Sequence, residues 1–62
     1  MTREQVKKIR TNLFMTQEKF AKEINVSQKT VSGWENGVVG ISLRNQEKIF
    51  NLCKEKNIKW EE

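Results

Sequence analysis

Between Thr16 and Gly37 the chain reads TQEKFAKEINVSQKTVSGWENG, and this stretch restricts the possible fold more than any other. It holds two short helical patterns joined by one sharp turn. Thr16 is an N-cap residue, and Glu18 follows in the first turn, where the helix dipole favours a negative charge. Phe20, Ala21 and Ile24 recur at helical spacing and form a buried stripe. Ala21 is small where bulk would be expected, which lets a neighbouring helix cross closely. Asn25 stands where a tight turn needs a left-handed backbone, a conformation Asn tolerates better than most residues. Val26 then turns inward and Ser27 caps the next helix, about Gln28 to Asn36. At about 100° per residue, Val31 and Trp34 share one side of that helix. Lys29, Ser32, Gly33 and Asn36 share the other, with Gln28 flanking it at the N-terminal end. Asn36-Gly37 stops the helix.

The flanks read as helices too. Thr2 caps a first helix from about Arg3 to Asn12, with Gln5 three residues on in a capping-box pattern. Val6, Ile9 and Leu13 face one way, and Lys7 and Lys8 point to solvent. Val38 to Ile41 is a short apolar loop. Ser42 caps a fourth helix from about Leu43 to Lys56, whose apolar arc is Leu43, Ile49, Phe50 and Cys53 with Leu52 at its edge. Gln46 projects from the middle of that arc and must find partners there, because a buried amide without them is costly. The tail alternates Ile58 and Trp60 against Lys59 and suits a short extended segment. With no proline, and all three glycines between positions 33 and 40, the expected fold is all-α. It is a compact bundle of four to five short helices forming a single domain over residues 1–62.

Charge narrows the class of partner. Residues 1–44 carry eight Lys/Arg against four Glu, and residues 45–62 carry four of each, so the whole excess of +4 lies in the part that contains the two-helix segment. A basic surface suits phosphate backbones or anionic lipids, although +4 alone is equally well explained by solubility. Enzyme chemistry is disfavoured. There is no His to act as general base, the single Cys has no activating partner, and metal-ligand spacing is absent. One cysteine cannot form an internal disulfide and fits a reducing cytosol. No apolar run approaches the roughly 20 residues of a membrane span, and the start is too polar for a secretory signal.

In order and spacing, Ile9-Arg10, Met15-Thr16-Gln17, Ala21, Asn25-Val26-Ser27, Val31 and Trp34-Glu35-Asn36-Gly37 resemble the helix-turn-helix family of phage repressors and Cro proteins, also called XRE-like. The resemblance covers about residues 6 to 53. It implies a lambda-repressor-like fold in which helix two crosses a DNA backbone and helix three enters the major groove. Arg10 and Glu35 match positions that form a partly buried ion pair between helices one and three. Gln28 and Lys29 are the main candidates for base readout, since Gln can bond adenine through two atoms and Lys can donate to guanine. Thr30 and Ser32 are shorter readers of a thymine methyl or a phosphate. Gln17, Ser27, Asn36 and Arg44 are candidate phosphate contacts. Arg44 stands in the first turn of helix four, where the dipole disfavours a cation, a hint of an anionic partner. Three positions depart from the family pattern: Asn25 replaces a turn Gly, Gly33 stands where a long reader is usual, and Gln46 replaces a core Leu.

The function implied is a sequence-specific double-stranded DNA-binding transcriptional regulator, a repressor acting as a homodimer on a palindromic operator. It would be cytoplasmic, bacterial or phage-encoded, and nucleoid-associated when bound, with no cofactor, metal or small-molecule effector. Val38, Val39, Ile41, Ile58 and Trp60 are more apolar than a bare surface needs and are the candidate dimer interface. The same apolar residues motivate the alternative, a protein-interaction module such as an antitoxin-like partner.

Overall fold

The computed structural model describes residues 1–58. It contains α1 (Arg3–Asn12), α2 (Gln17–Glu23), α3 (Gln28–Glu35) and α4 (Leu43–Glu55), with no strand among the described residues. No helix among them is long and apolar enough to cross a membrane.

All four helices start and stop by the same local devices. The hydroxyls of Thr2, Thr16, Ser27 and Ser42 each accept the backbone N–H three residues on, at 3.1 to 3.2 Å. Each such bond satisfies one of the amide donors that a helix start leaves open. At α1 the box is reciprocal, because the Gln5 side-chain oxygen accepts the Thr2 N–H at 2.8 Å. At the other ends, Phe14, Asn25, Gly37 and Asn57 adopt left-handed φ of 58°, 59°, 74° and 59°. Each left-handed residue lets the next amide reach back to the carbonyl five residues earlier. The bonds are Met15 N to Arg10 O, Val26 N to Ala21 O, Val38 N to Gly33 O and Ile58 N to Cys53 O, all between 2.9 and 3.2 Å. This is the Schellman arrangement, in which the residue after the left-handed one usually folds an apolar side chain back onto its helix.

The caps aim the apolar stripes at one another. Val6 and Ile9 from α1, Phe20, Ala21 and Ile24 from α2 and its end, Val31 and Trp34 from α3, and Ile49, Leu52 and Cys53 from α4 form one buried cluster. The C-terminal cap residues Met15, Val26 and Ile58 pack partly against it, as do Met1, Leu13 and Ile41. α3 packs against both α2 and α1, so the two-helix segment is braced from behind. Burial pushes the Cys53 thiol pKa up, as expected for a small apolar group in a core.

Two sequence expectations change, both in α4. Leu43 is 82% exposed, and the buried arc of α4 is carried by Ile49, Leu52 and Cys53. At about 100° per residue Leu43 lies about 120° round the helix from Ile49, the centre of the buried stripe, and so falls on the solvent side. Leu52, placed at the edge of the arc, belongs to the core. Of the tail, Ile58 follows the left-handed Asn57 and packs partly against the cluster; the rest of the expected extended segment, residues 59–62 with Trp60, lies outside the described residues. Gln46 is half-buried and satisfied: its amide donates to Ile41 O at 3.0 Å and its oxygen accepts from the Met1 amino group at 3.4 Å.

Phe14 is the least comfortable cap. A bulky residue with positive φ is a steric outlier, and this side chain is 95% exposed, so no described packing offsets the cost. Phe14→Gly is expected to stabilise the fold by about 1 kcal/mol, the left-handed cost less the entropy of an added glycine. For a domain of this size that raises Tm by about 4–8 °C. A thermal melt in which Tm stays level or falls would show that the ring makes a stabilising contact.

Candidate nucleic-acid interface

The α3 helix is held by its inner face and by one partly buried ionic network. Val31 and Trp34 anchor it in the core. At its last turn Glu35 receives a two-pronged guanidinium, with Arg10 Nε 2.6 Å from Oε2 and Arg10 Nη2 3.0 Å from Oε1. The third arm of Arg10 donates to Met15 O at 2.9 Å, at the turn into α2. Gln17, the first residue of α2, donates its amide to Glu35 Oε1 at 3.2 Å. These bonds tie α1, α2 and α3 together at one point. The side chains of Arg10 and Glu35 are only 14% and 5% exposed, and no buried side-chain polar atom among the described residues lacks a partner.

The protonation of this network follows from its geometry. Burial pushes the Glu35 carboxyl pKa up, but hydrogen bonds from Arg10 and Gln17 and the charges of Arg10 and Lys7 outweigh it, so it lies below its ordinary value. The hydrogen bond to Glu35 raises the Arg10 pKa against a smaller opposing effect of burial. Both groups are therefore charged at neutral pH. The bidentate pairing of a planar guanidinium with a carboxylate fixes direction as well as distance, so the network sets the angle of α3.

The outer face of α3 divides into free and engaged side chains. Gln28 and Lys29 are exposed, and no hydrogen bond or ion pair joins either to another described residue. Thr30 and Ser32 are half-buried and occupied locally. The Thr30 and Ser27 hydroxyls lie 2.8 Å apart, and the Ser32 hydroxyl accepts from the Asn36 amide at 3.2 Å. Ser27, Lys29, Thr30, Ser32 and Asn36 line one open concavity of about 430 Å³ together with Gly33, Val38 and Val39. No acidic residue lies in the first turn of α3, so the positive end of its dipole faces outward uncompensated.

The other sequence-derived candidates fall differently. Gln17 uses one of its two amide hydrogens on Glu35, leaving one for another acceptor. Arg44 is exposed and joined to no described residue by a hydrogen bond or ion pair. Of the apolar residues named above as an interface, Val38 and Val39 are exposed at 77% and 50%, while Ile41 and Ile58 rest partly on their own core. Sequence reading missed the third member of the ionic network, because nothing local marks Gln17 as a partner of a residue 18 positions away. It also missed that Val39 closes over Gly33: a Cβ built at Gly33 would lie 3.0 Å from Val39 Cγ2. A glycine mid-helix beside a β-branched apolar pair was the available signal.

A protein-family model described as helix-turn-helix matches residues 6–62. No curated protein and no solved structure matches the chain.

Proposed function

We propose that this chain, which belongs to the Cro/cI-like (XRE-type) helix-turn-helix family of DNA-binding transcriptional regulators, is a repressor that binds a palindromic operator as a homodimer. In this reading α3 enters the major groove, N-terminal end first. Gln28 and Lys29 read base edges, and Thr30 and Ser32 act as shorter contacts. Gln17, Ser27, Asn36 and Arg44 touch phosphates and set the docking angle without carrying sequence information. The observation that carries it is the free state of Gln28 and Lys29 on a helix locked from behind by Val31, Trp34 and the Glu35 network. Side chains held rigidly by their base and unengaged at their tips are what direct readout requires.

Selection from random duplexes followed by sequencing tests this reading. The expected product is a motif with two half-sites related by twofold symmetry, their centres about 10–10.5 base pairs apart. Binding to it should weaken steeply with salt, the slope of log K against log[salt] growing by about 0.9 for each phosphate neutralised. Even retention of all duplexes, or a stoichiometric protein partner that survives nuclease while no duplex is enriched, would count against it. The second result would favour an antitoxin-like interaction module.

A further inference from the structure

Three of the four helix ends follow the Schellman pattern to completion, with Met15, Val26 and Ile58 folded onto the core. The end of α3 does not. Its bonds are formed, Val38 N to Gly33 O at 2.9 Å and Gly37 N to Trp34 O at 3.2 Å, yet Val38 is 77% exposed. The residue whose side chain would cover it is Gly33, which has none. The loop instead brings Val39 over the bare backbone of α3, close enough that any Cβ at position 33 would press on it. Val38, Val39 and the bare Gly33 thus border one side of a hollow on the outward face of α3. Lys29 and Ser32 line the same hollow and add a cation and a hydroxyl to it.

We propose that Gly33, Val38 and Val39 form an apolar seat for the 5-methyl group of a thymine in the base pair beside the one contacted by Lys29. The proposal rests on the DNA-binding reading above and adds a specificity element to it. A major-groove edge combines hydrogen-bonding atoms with a single apolar group, the thymine methyl, and the hollow combines a cation and a hydroxyl with two branched aliphatic side chains. Lys29 on its rim favours a polyanion as occupant. Two valines are too few to anchor a stable protein interface, which buries about 800 Å² a side. The cost of omitting a reader at 33 is thereby offset by an element that distinguishes pairs containing thymine from those without it.

The test uses the full chain and the operator obtained by selection. Each thymine is replaced in turn by deoxyuridine, which differs only in lacking the methyl. The wild-type protein should bind about fourfold more weakly at one position in each half-site, the factor expected for losing one buried methyl-sized group. Val38→Ala and Val39→Ala should bring that thymine-to-uracil ratio close to one, while discrimination at the base pair read by Lys29 persists. Both valines are exposed, so the variants should keep the wild-type helical signal and melt. The wild-type uracil scan needs no variant at all. Specific binding that no uracil substitution weakens overturns the proposal and leaves the DNA-binding reading intact. So does a uracil effect unchanged in both variants, or valine variants that alter only self-association in sedimentation. Failure to select any duplex overturns both.

Discussion

Replacing Glu35 with alanine is expected to destabilise the chain by about 3–5 kcal/mol, the usual consequence of stranding one member of a buried ion pair. A domain of 62 residues has a total stability of only about 3–9 kcal/mol at the common per-residue value. Glu35→Ala should therefore lose at least about a third of the chain's stability. The cause is specific: Arg10 loses both carboxylate contacts while remaining 14% exposed, and Gln17 loses its acceptor. Urea denaturation followed by circular dichroism measures the change. The paired variant Arg10→Met with Glu35→Leu should recover most of the loss, because it removes both charges and leaves none to desolvate. A single-variant cost below about 1 kcal/mol would mean that the pair behaves like a surface ion pair.

The same network gives a pH dependence with a definite sign. The folded pKa of Glu35 lies below the unfolded value, so the carboxylate form is the one that folding favours. Its contribution is fully present above the unfolded value of about 4.3 and is lost as pH falls through the lower folded value. The urea midpoint of the wild type should therefore decline with acid below about pH 4.3, and that of the paired apolar variant should decline less.

Lys29→Ala and Gln28→Ala are expected to have the largest effects on operator binding with almost none on stability. Each direct base contact contributes about 1–3 kcal/mol of discrimination. A homodimer makes each contact twice, so either substitution should weaken operator binding by about 2–6 kcal/mol, from roughly 30-fold to about 10⁴-fold. Neither side chain has a hydrogen bond or ion pair to a described residue, so thermal stability should stay within about 0.5 kcal/mol of wild type. Binding to unrelated duplexes should change little for Gln28→Ala and modestly for Lys29→Ala, which also loses a positive charge. Uniform weakening on every duplex by either variant would reassign that residue to the phosphate backbone.

What the sequence revealed was what local physics decides. The hydroxyl caps at Thr2, Thr16, Ser27 and Ser42 and the left-handed turns at Asn25 and Gly37 are set within a few residues, and all were readable. The turn at Phe14 was not, since an aromatic residue carries no turn signal and its backbone follows from where α2 must begin. Periodicity showed that α4 is amphipathic but not where its buried face is centred, which is on Ile49 between Leu52 and Cys53, so Leu43 was placed inside and Leu52 at the margin. Arg10 and Glu35 were paired only through family resemblance, because a 25-residue separation leaves no local trace. The fold of Val39 over Gly33 is a through-space event of the same kind, and it changes how the outer face of α3 is understood.

The most direct measurement is a nitrogen-15 amide titration of the chain with the selected operator and with a scrambled duplex of equal length at the same salt. The expected result is a set of shifts, seen with the operator and not with the scrambled duplex, centred on Gln28, Lys29, Ser32 and the side-chain amide of Gln28. Gln17 and Arg44 should respond to both duplexes. Operator-specific shifts centred instead on α1 or the outer side of α4, with Gln28 and Lys29 unmoved, would contradict major-groove entry by α3.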